Sequence, residues 1–250
     1  TGEYAVVALG EGVTRPTPAR GVGLRPRLPG LRLFCVASLD PAHPEAAATL
    51  AADTELVTFR DVAAVVAAAP YVPDPVSPPE LDRHRAVIDE VFAARAVVPA
   101  PPGTVFRSRE TLAGWLELHY FTLAEALRFV EDRGAARVTV TRAAERPAGG
   151  RRAPLRLAPG VDDEVAAGDV VALAAEAFRV LRREAVALLV LRAEEADGGD
   201  AAHASFLVER ARWARFEQAL AGEAEQRPAL RFAVSGPWPA YDFVQMQFRG

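Results

Sequence analysis

The sequence predicts an α+β fold in two domains, the C-terminal one ferredoxin-like: a split βαβ arrangement with an antiparallel sheet and helices on one face. Three observations predict it. Residues 136–234 read in order as strand, helix, strand, strand, helix, strand. Residues 31–99 admit the same order with a weaker first helix, so the chain reads as a duplication of one α+β unit. The chain has 250 residues, which suits one large or two modest domains at ~100–200 residues each.

The elements follow from local pattern. Residues 1–30 carry Pro16, Pro18, Pro26 and Pro29, several Gly, and Arg15, Arg20, Arg25 and Arg27. Such a stretch buries little and reads as a flexible N-terminal extension, solvated or acting as a tether to an acidic surface. An N-terminal α+β domain is assigned to 31–107. Leu31–Ala37 reads as a strand, and the Ala-rich Pro44–Ala52 as a short helix. Leu56–Arg60 and Val62–Ala68 form a hairpin, the second run also being readable as helix. Five prolines make 70–79 a stiff loop. Leu81, His84, Ile88, Val91 and Phe92 recur at helical spacing and predict a helix over 80–95. Val97 and Val98 make a strand that ends in the turn at Pro99–Gly103.

Ser108 is placed to cap a second helix with Glu110 in its first turn. Its apolar stripe is Leu112, Leu116, His119, Leu123, Leu127 and Val130, and Gly134 is the expected C-terminal cap. Residues 108–134 are read as a connecting helix between the domains. The C-terminal domain, 135–250, begins with the alternating strand Ala136–Thr141. A Gly, Pro and Arg-rich insert near 145–161 interrupts it. A helix then starts at Asp162-Asp163-Glu164 and runs to about Arg183. Ala185–Arg192 is a strand, 196–202 a turn, and Ala204–Glu209 the returning strand. Trp213, Phe216 and Leu220 mark one face of a helix over 211–226. Leu230–Val234 is the last strand, with Pro237 and Pro239 expected to stop it.

Composition excludes several classes of function. Half of the residues are hydrophobic and a quarter charged, which is ordinary globular composition. All 29 basic residues are Arg and the formal net charge is −4, a balance that disfavours a dedicated nucleic-acid binder. The single Cys35 forms no intramolecular disulfide or Cys-based zinc site and suits a reducing cytosol. No run of ~18 apolar residues predicts a membrane span, and no basic-then-apolar N-terminal pattern predicts a signal peptide.

No constellation predicts catalysis. His43 and His203 are expected in turns without a patterned partner; His84 and His119 each replace an apolar residue on a helix stripe, where a structural histidine is expected. There is no H-E-x-x-H or C-x-x-C for zinc, and Asp162, Asp163 and Glu164 suit a helix start better than a cation. Pro101-Pro102-Gly103-Thr104 lacks phosphate-loop spacing, no G-x-S-x-G elbow occurs, and Cys35 sits inside an apolar strand where a reactive thiolate is not expected. The expectation is a protein that is not an enzyme, with no cofactor and no metal.

One segment stands out: Ser235-Gly236-Pro237-Trp238-Pro239-Ala240-Tyr241-Asp242-Phe243-Val244. Two prolines stiffen the backbone around a Trp, with Tyr and Phe close behind. It reads as a rigid plug on the domain core, as an aromatic partner contact, or as both.

This segment resembles the closing motif G-P-W-P-P-Y-x-F-V of the gas vesicle protein GvpL/GvpF family, departing only at Ala240. Other stretches agree in order: Leu33-Phe34-Cys35-Val36 with the opening strand, Val57–Val66 with the segment after it, and His84–Val91 with a helix of the form H-x-x-V-[IL]-x-x-[VL]. Val98–Phe106 resembles a loop in which the family's usual Arg-Phe is here Pro101-Pro102, and Ser205–Val208 with Phe216 resembles a late strand and helix. The resemblance covers about residues 31–244.

It implies an accessory protein of gas vesicles, in two α+β domains and without catalysis, located in the cytoplasm at the vesicle. The implied role is nucleation or assembly of the shell with the small hydrophobic shell protein GvpA and other accessory Gvp proteins, with no nucleic acid or membrane as partner. No catalytic residue carries over. Candidate partner contacts are Trp238, Tyr241 and Phe243, with Trp115 and Tyr120 on the long helix. The alternative is a small-molecule-binding or regulatory α+β module, which predicts a concave, partly polar pocket. A dispersed-site enzyme would instead need His84 in a cleft beside a carboxylate.

Overall fold

A computed structural model of the chain describes residues 28–39, 53–71, 76–143, 161–191, 201–244, 246 and 248, and of 161–169 the backbone only. The elements are β1 (Pro29–Ser38), β2 (Glu55–Phe59), β3 (Val62–Pro70), α1 (Pro78–Ala94), β4 (Val97–Pro99), β5 (Val105–Phe106) and α2 (Arg109–Val130) in the first half. In the second half they are β6 (Arg133–Arg142), α3 (Val161–Leu181), β7 (Ala187–Leu191), β8 (Ala201–Glu209), α4 (Trp213–Gln226) and β9 (Leu230–Trp238). The expected helix at 44–52, the insert near 145–161 except its last residue, and residues 1–27 lie outside the described residues.

The fold is α+β with two antiparallel sheets. The first has the order β2-β3-β1-β4, with β5 also pairing β1; the second has the order β7-β8-β6-β9. Counted from the start of each half, both read second, third, first, fourth strand.

The first sheet is covered on both faces. Leu33, Val36, Val57, Ala64, Val66 and Phe106 pack with Leu112, Leu116, Leu123 and Leu127 of α2. Phe34, Cys35, Ala37 and Val65 pack with Val87, Ile88 and Val91 of α1. This explains why β1 and β3 read as near-continuous apolar runs rather than alternating ones: both sides of each strand leave water. A register shift between Leu33 and Cys35 turns Phe34 and Cys35 to the same side.

Local signals fix the helix starts. Glu80 accepts hydrogen bonds from the Ser77 amide and hydroxyl at 3.0 and 2.7 Å and an ion pair from Arg32 at 2.5 Å, which holds its carboxyl down near 2. The Ser108 hydroxyl accepts from the Thr111 amide at 3.2 Å and caps α2 as expected.

The second sheet buries one face under α3 and α4. Phe206 meets Phe178 edge-on at 5.8 Å and lies tilted against Phe216 at 5.2 Å, and Val138, Val140, Ala174, Leu181 and Val208 fill the space around them. Each buried Phe contributes on the order of 2–3 kcal/mol.

Three expectations are corrected. Gly134 does not cap α2 but lies inside β6; the residue with left-handed backbone after the helix is Asp132, at φ 53°. β9 does not stop at Val234 but continues through Pro237 to Trp238. It can do so because it is an edge strand, and the register shifts opposite Ala136, so Gly236 and Pro237 bulge out of the ladder. His203 lies in β8 rather than a turn, with its Nδ1 3.1 Å from the Thr139 hydroxyl across the strand pair.

Candidate partner-contact surface

The closing segment is built on β9. A Cβ added at Gly236 would lie 2.5 Å from the Ala135 carbonyl oxygen and 3.2 Å from the Trp213 ring, and its φ is +130°, so only glycine fits. The Gly236–Pro237 peptide is cis. Trp238 follows, 41% exposed, with its indole N–H donating to the Ser235 hydroxyl at 3.2 Å.

The chain then turns, with the Tyr241 amide bonded to the Pro239 carbonyl and the Phe243 amide to the Ala240 carbonyl. Ala240 is buried with Val130 and Leu207, and Phe243 and Val244 pack beside them. Asp242 accepts both Nε and Nη2 of Arg137 at 3.1 and 3.0 Å. Tyr241 is 37% exposed; burial, reinforced by the Asp89 carboxylate of α1, pushes its hydroxyl up to about 12. Val244, Met246 and Phe248 then pack on the core of the first half, where Phe248 stacks on Trp115 with ring centres 5.3 Å apart. The segment thus crosses from the second sheet to the first and joins the two.

The five sequence-predicted residues divide accordingly. Trp238, Tyr241 and Phe243 lie on this segment, the first two exposed and Phe243 half-buried. Trp115 is only 5% exposed, enclosed by Phe106, His119 and Phe248, so its ring faces the interior. Tyr120 is half-buried too: its hydroxyl donates to Asp61 at 2.7 Å and Arg60 lies over its ring at 4.8 Å. It ties α2 to the β2–β3 turn.

Sequence reasoning missed a second surface. On α2, Leu118 and Phe121 are 77% and 78% exposed and Phe129 is 38% exposed. The available signal was their displacement from the buried stripe: three large apolar residues occupy the side of α2 that water should own.

Among the described residues, the hydrogen-bond partner of His84 is a backbone carbonyl and not a carboxylate. His84 is buried, and its Nε2–H donates to the Ala100 carbonyl at 2.9 Å while Nδ1 has no hydrogen-bond partner among the described residues. Burial lowers its pKa. No group of three or more His, Cys, Asp or Glu among the described residues is placed to hold a metal ion. A cleft of about 170 Å³ opens beside Ser38, Asp61, Arg128 and Glu131. No described helix is long and apolar enough to cross a membrane.

The family model described as gas vesicle synthesis protein GvpL/GvpF matches residues 30–245. This chain belongs to the GvpL/GvpF family. Among solved structures, GvpF from Anabaena sp. PCC7120 is similar at a TM-score of 0.66 and 16% identity, covering 88% of this chain and 97% of that one. GvpF from Microcystis aeruginosa is similar at 0.62 and 14%, covering 87% and 99%. At these identities the likeness is one of fold. Comparison with curated proteins finds no match. The GvpL/GvpF match takes in every described element from β1 to β9 apart from the first residue of β1, together with the closing segment as far as residue 245.

Proposed function

We propose that this GvpL/GvpF-family chain is a non-enzymatic accessory protein of gas vesicle assembly that binds the shell protein GvpA and other Gvp proteins. The observation that carries this reading is the exposed aromatic pair Trp238 and Tyr241, held on a stiff segment at the edge of the second sheet. A preformed aromatic surface orders few side chains on binding, so more of its contact energy appears as affinity. A very hydrophobic subunit kept from aggregating before shell growth is a partner suited to such a surface.

The same reading treats residues 135–250 as a ferredoxin-like domain and 31–107 as a second α+β domain, with the closing segment as the clamp between them. Val130, Leu207 and Ala240 meet where the halves join, and Arg210 reaches Phe92 by a hydrogen bond to its carbonyl at 2.8 Å. A small-molecule module is the second reading, and the cleft beside Asp61 and Arg128 is what supports it among the described residues. That cleft is smaller than the roughly 300 Å³ at which ligand pockets begin.

The test is a pull-down of the tagged full chain from its host. Recovery of GvpA or another Gvp protein supports the reading. Recovery of none of them, from cells that make vesicles, overturns it.

A further inference from the structure

The outer face of α2 is absorbed neither by the core nor by the closing segment. Gly114, Leu118, Phe121 and Glu125 follow one another at steps of four, three and four, so they form one stripe. All four are exposed.

Gly114 is the informative member. Glycine in a helix interior is unfavourable and needs a reason. At the strand glycines Gly134 and Gly236 the reason is a close neighbour, but a Cβ at Gly114 would meet nothing within 4 Å. Gly222 in α4 is equally open, yet it sits in the last turns among Gln218, Ala219, Glu225 and Gln226, with no large apolar residue beside it. Among the described glycines, only at Gly114 does an unrequired glycine adjoin an exposed apolar stripe. No described residue of the chain calls for glycine there.

We propose that this face pairs antiparallel with α2 of a second copy. Charge selects that partner and that direction. A parallel pairing would oppose Glu117 to Glu117 and Glu125 to Glu125. An antiparallel two-fold that sets Leu118 of one copy on Phe121 of the other repeats that contact by symmetry. It sets Glu125 over the open space at Gly114. It brings Arg128 opposite Thr111, one position from Glu110, and this ion pair also forms twice. No like charges on the exposed stripe face each other in this register, and the two helix dipoles oppose.

One helix face per copy is smaller than the ~800 Å² per partner of a standard stable interface, so the dimer is weak and concentration-dependent. The proposal concerns a different surface from Trp238 and Tyr241 and does not depend on what they bind.

Sedimentation of the purified full chain over rising concentration tests it. The wild type shows a monomer–dimer equilibrium. Phe121→Glu, Glu110→Arg and Arg128→Glu, all at exposed positions and checked for native circular dichroism, each weaken the dimer by about tenfold or more, about 1.4 kcal/mol. The double variant Glu110→Arg/Arg128→Glu returns to near the wild-type constant, which only reciprocal pairing of this face produces. A wild type that stays monomeric at every concentration, an unchanged constant in Phe121→Glu, or a double variant no stronger than the singles overturns the proposal.

Discussion

A Cβ on Gly134 would fall 2.7 Å from the Cβ of Pro237, a contact between two residues at opposite ends of the second half of the chain. β6 passes under the closing segment only because position 134 has no side chain. Gly134→Ala forces strand or segment to shift, and overpacking of this kind costs about 1–3 kcal/mol. Chemical denaturation should show the loss. An unchanged midpoint would mean that the segment is not seated on β6 as described.

The far end of the same segment makes its own prediction. Phe248 stacks on the buried Trp115, so Phe248→Ala uncovers the indole. The expected result is a red shift in Trp emission with a stability loss of about 1–2 kcal/mol, from an aromatic pair and part of a Phe burial. A Phe248→Leu variant should recover most of the stability but not the stacking.

His84 and Glu80 each make stability depend on pH in the acid range, and Glu110, whose carboxyl is held down by its hydrogen bond with the Ser108 hydroxyl, acts in the same direction as Glu80. Buried His84 has a pKa below its ordinary 6.5, so just below pH 6.5 the unfolded chain binds a proton that the folded protein refuses. Stability is unaffected by this group above pH 6.5 and falls as pH drops below it. Glu80, held near 2, contributes stability that is complete above its ordinary 4.5 and is lost as pH falls from there toward 2. Thermal melts should therefore decline in two stages, and His84→Leu should flatten the upper stage and leave the lower.

Cys35 is fully buried in β1, and burial pushes its thiol up to about 12. The thiolate is the reactive form, so a thiol reagent should leave the native protein unmodified at neutral pH and label one site in denaturant. Rapid labelling of the native protein would contradict the packing of β1 against α1.

The elements were legible where local chemistry decides them. The β-branched alternation at Ala136–Thr141, the helical spacing of Leu81 to Phe92 and the Ser108 cap each act within one or two turns of chain. Gly134 reads as a cap because glycine just past a helix is also the commonest local stop signal; its real reason, Pro237, is more than a hundred residues away. Pro237 reads as a strand end because nothing nearby reveals that β9 is an edge strand. That Trp115 is buried is not legible locally, because its cover, Phe248, comes from far along the chain. Leu118 and Phe121 were visible in the sequence but were masked by the stronger apolar stripe on the same helix. The closing motif, by contrast, was identifiable from its residues alone, and it led to the family.

The contact role of the closing segment is tested most directly by complementation. In a host whose own gene for this protein is deleted, the Trp238→Ala/Tyr241→Ala variant is introduced after its thermal melt is shown to match the wild type. The account predicts that vesicle formation is lost or sharply reduced while the protein stays folded and abundant. Full restoration of vesicles by that folded double variant would contradict it.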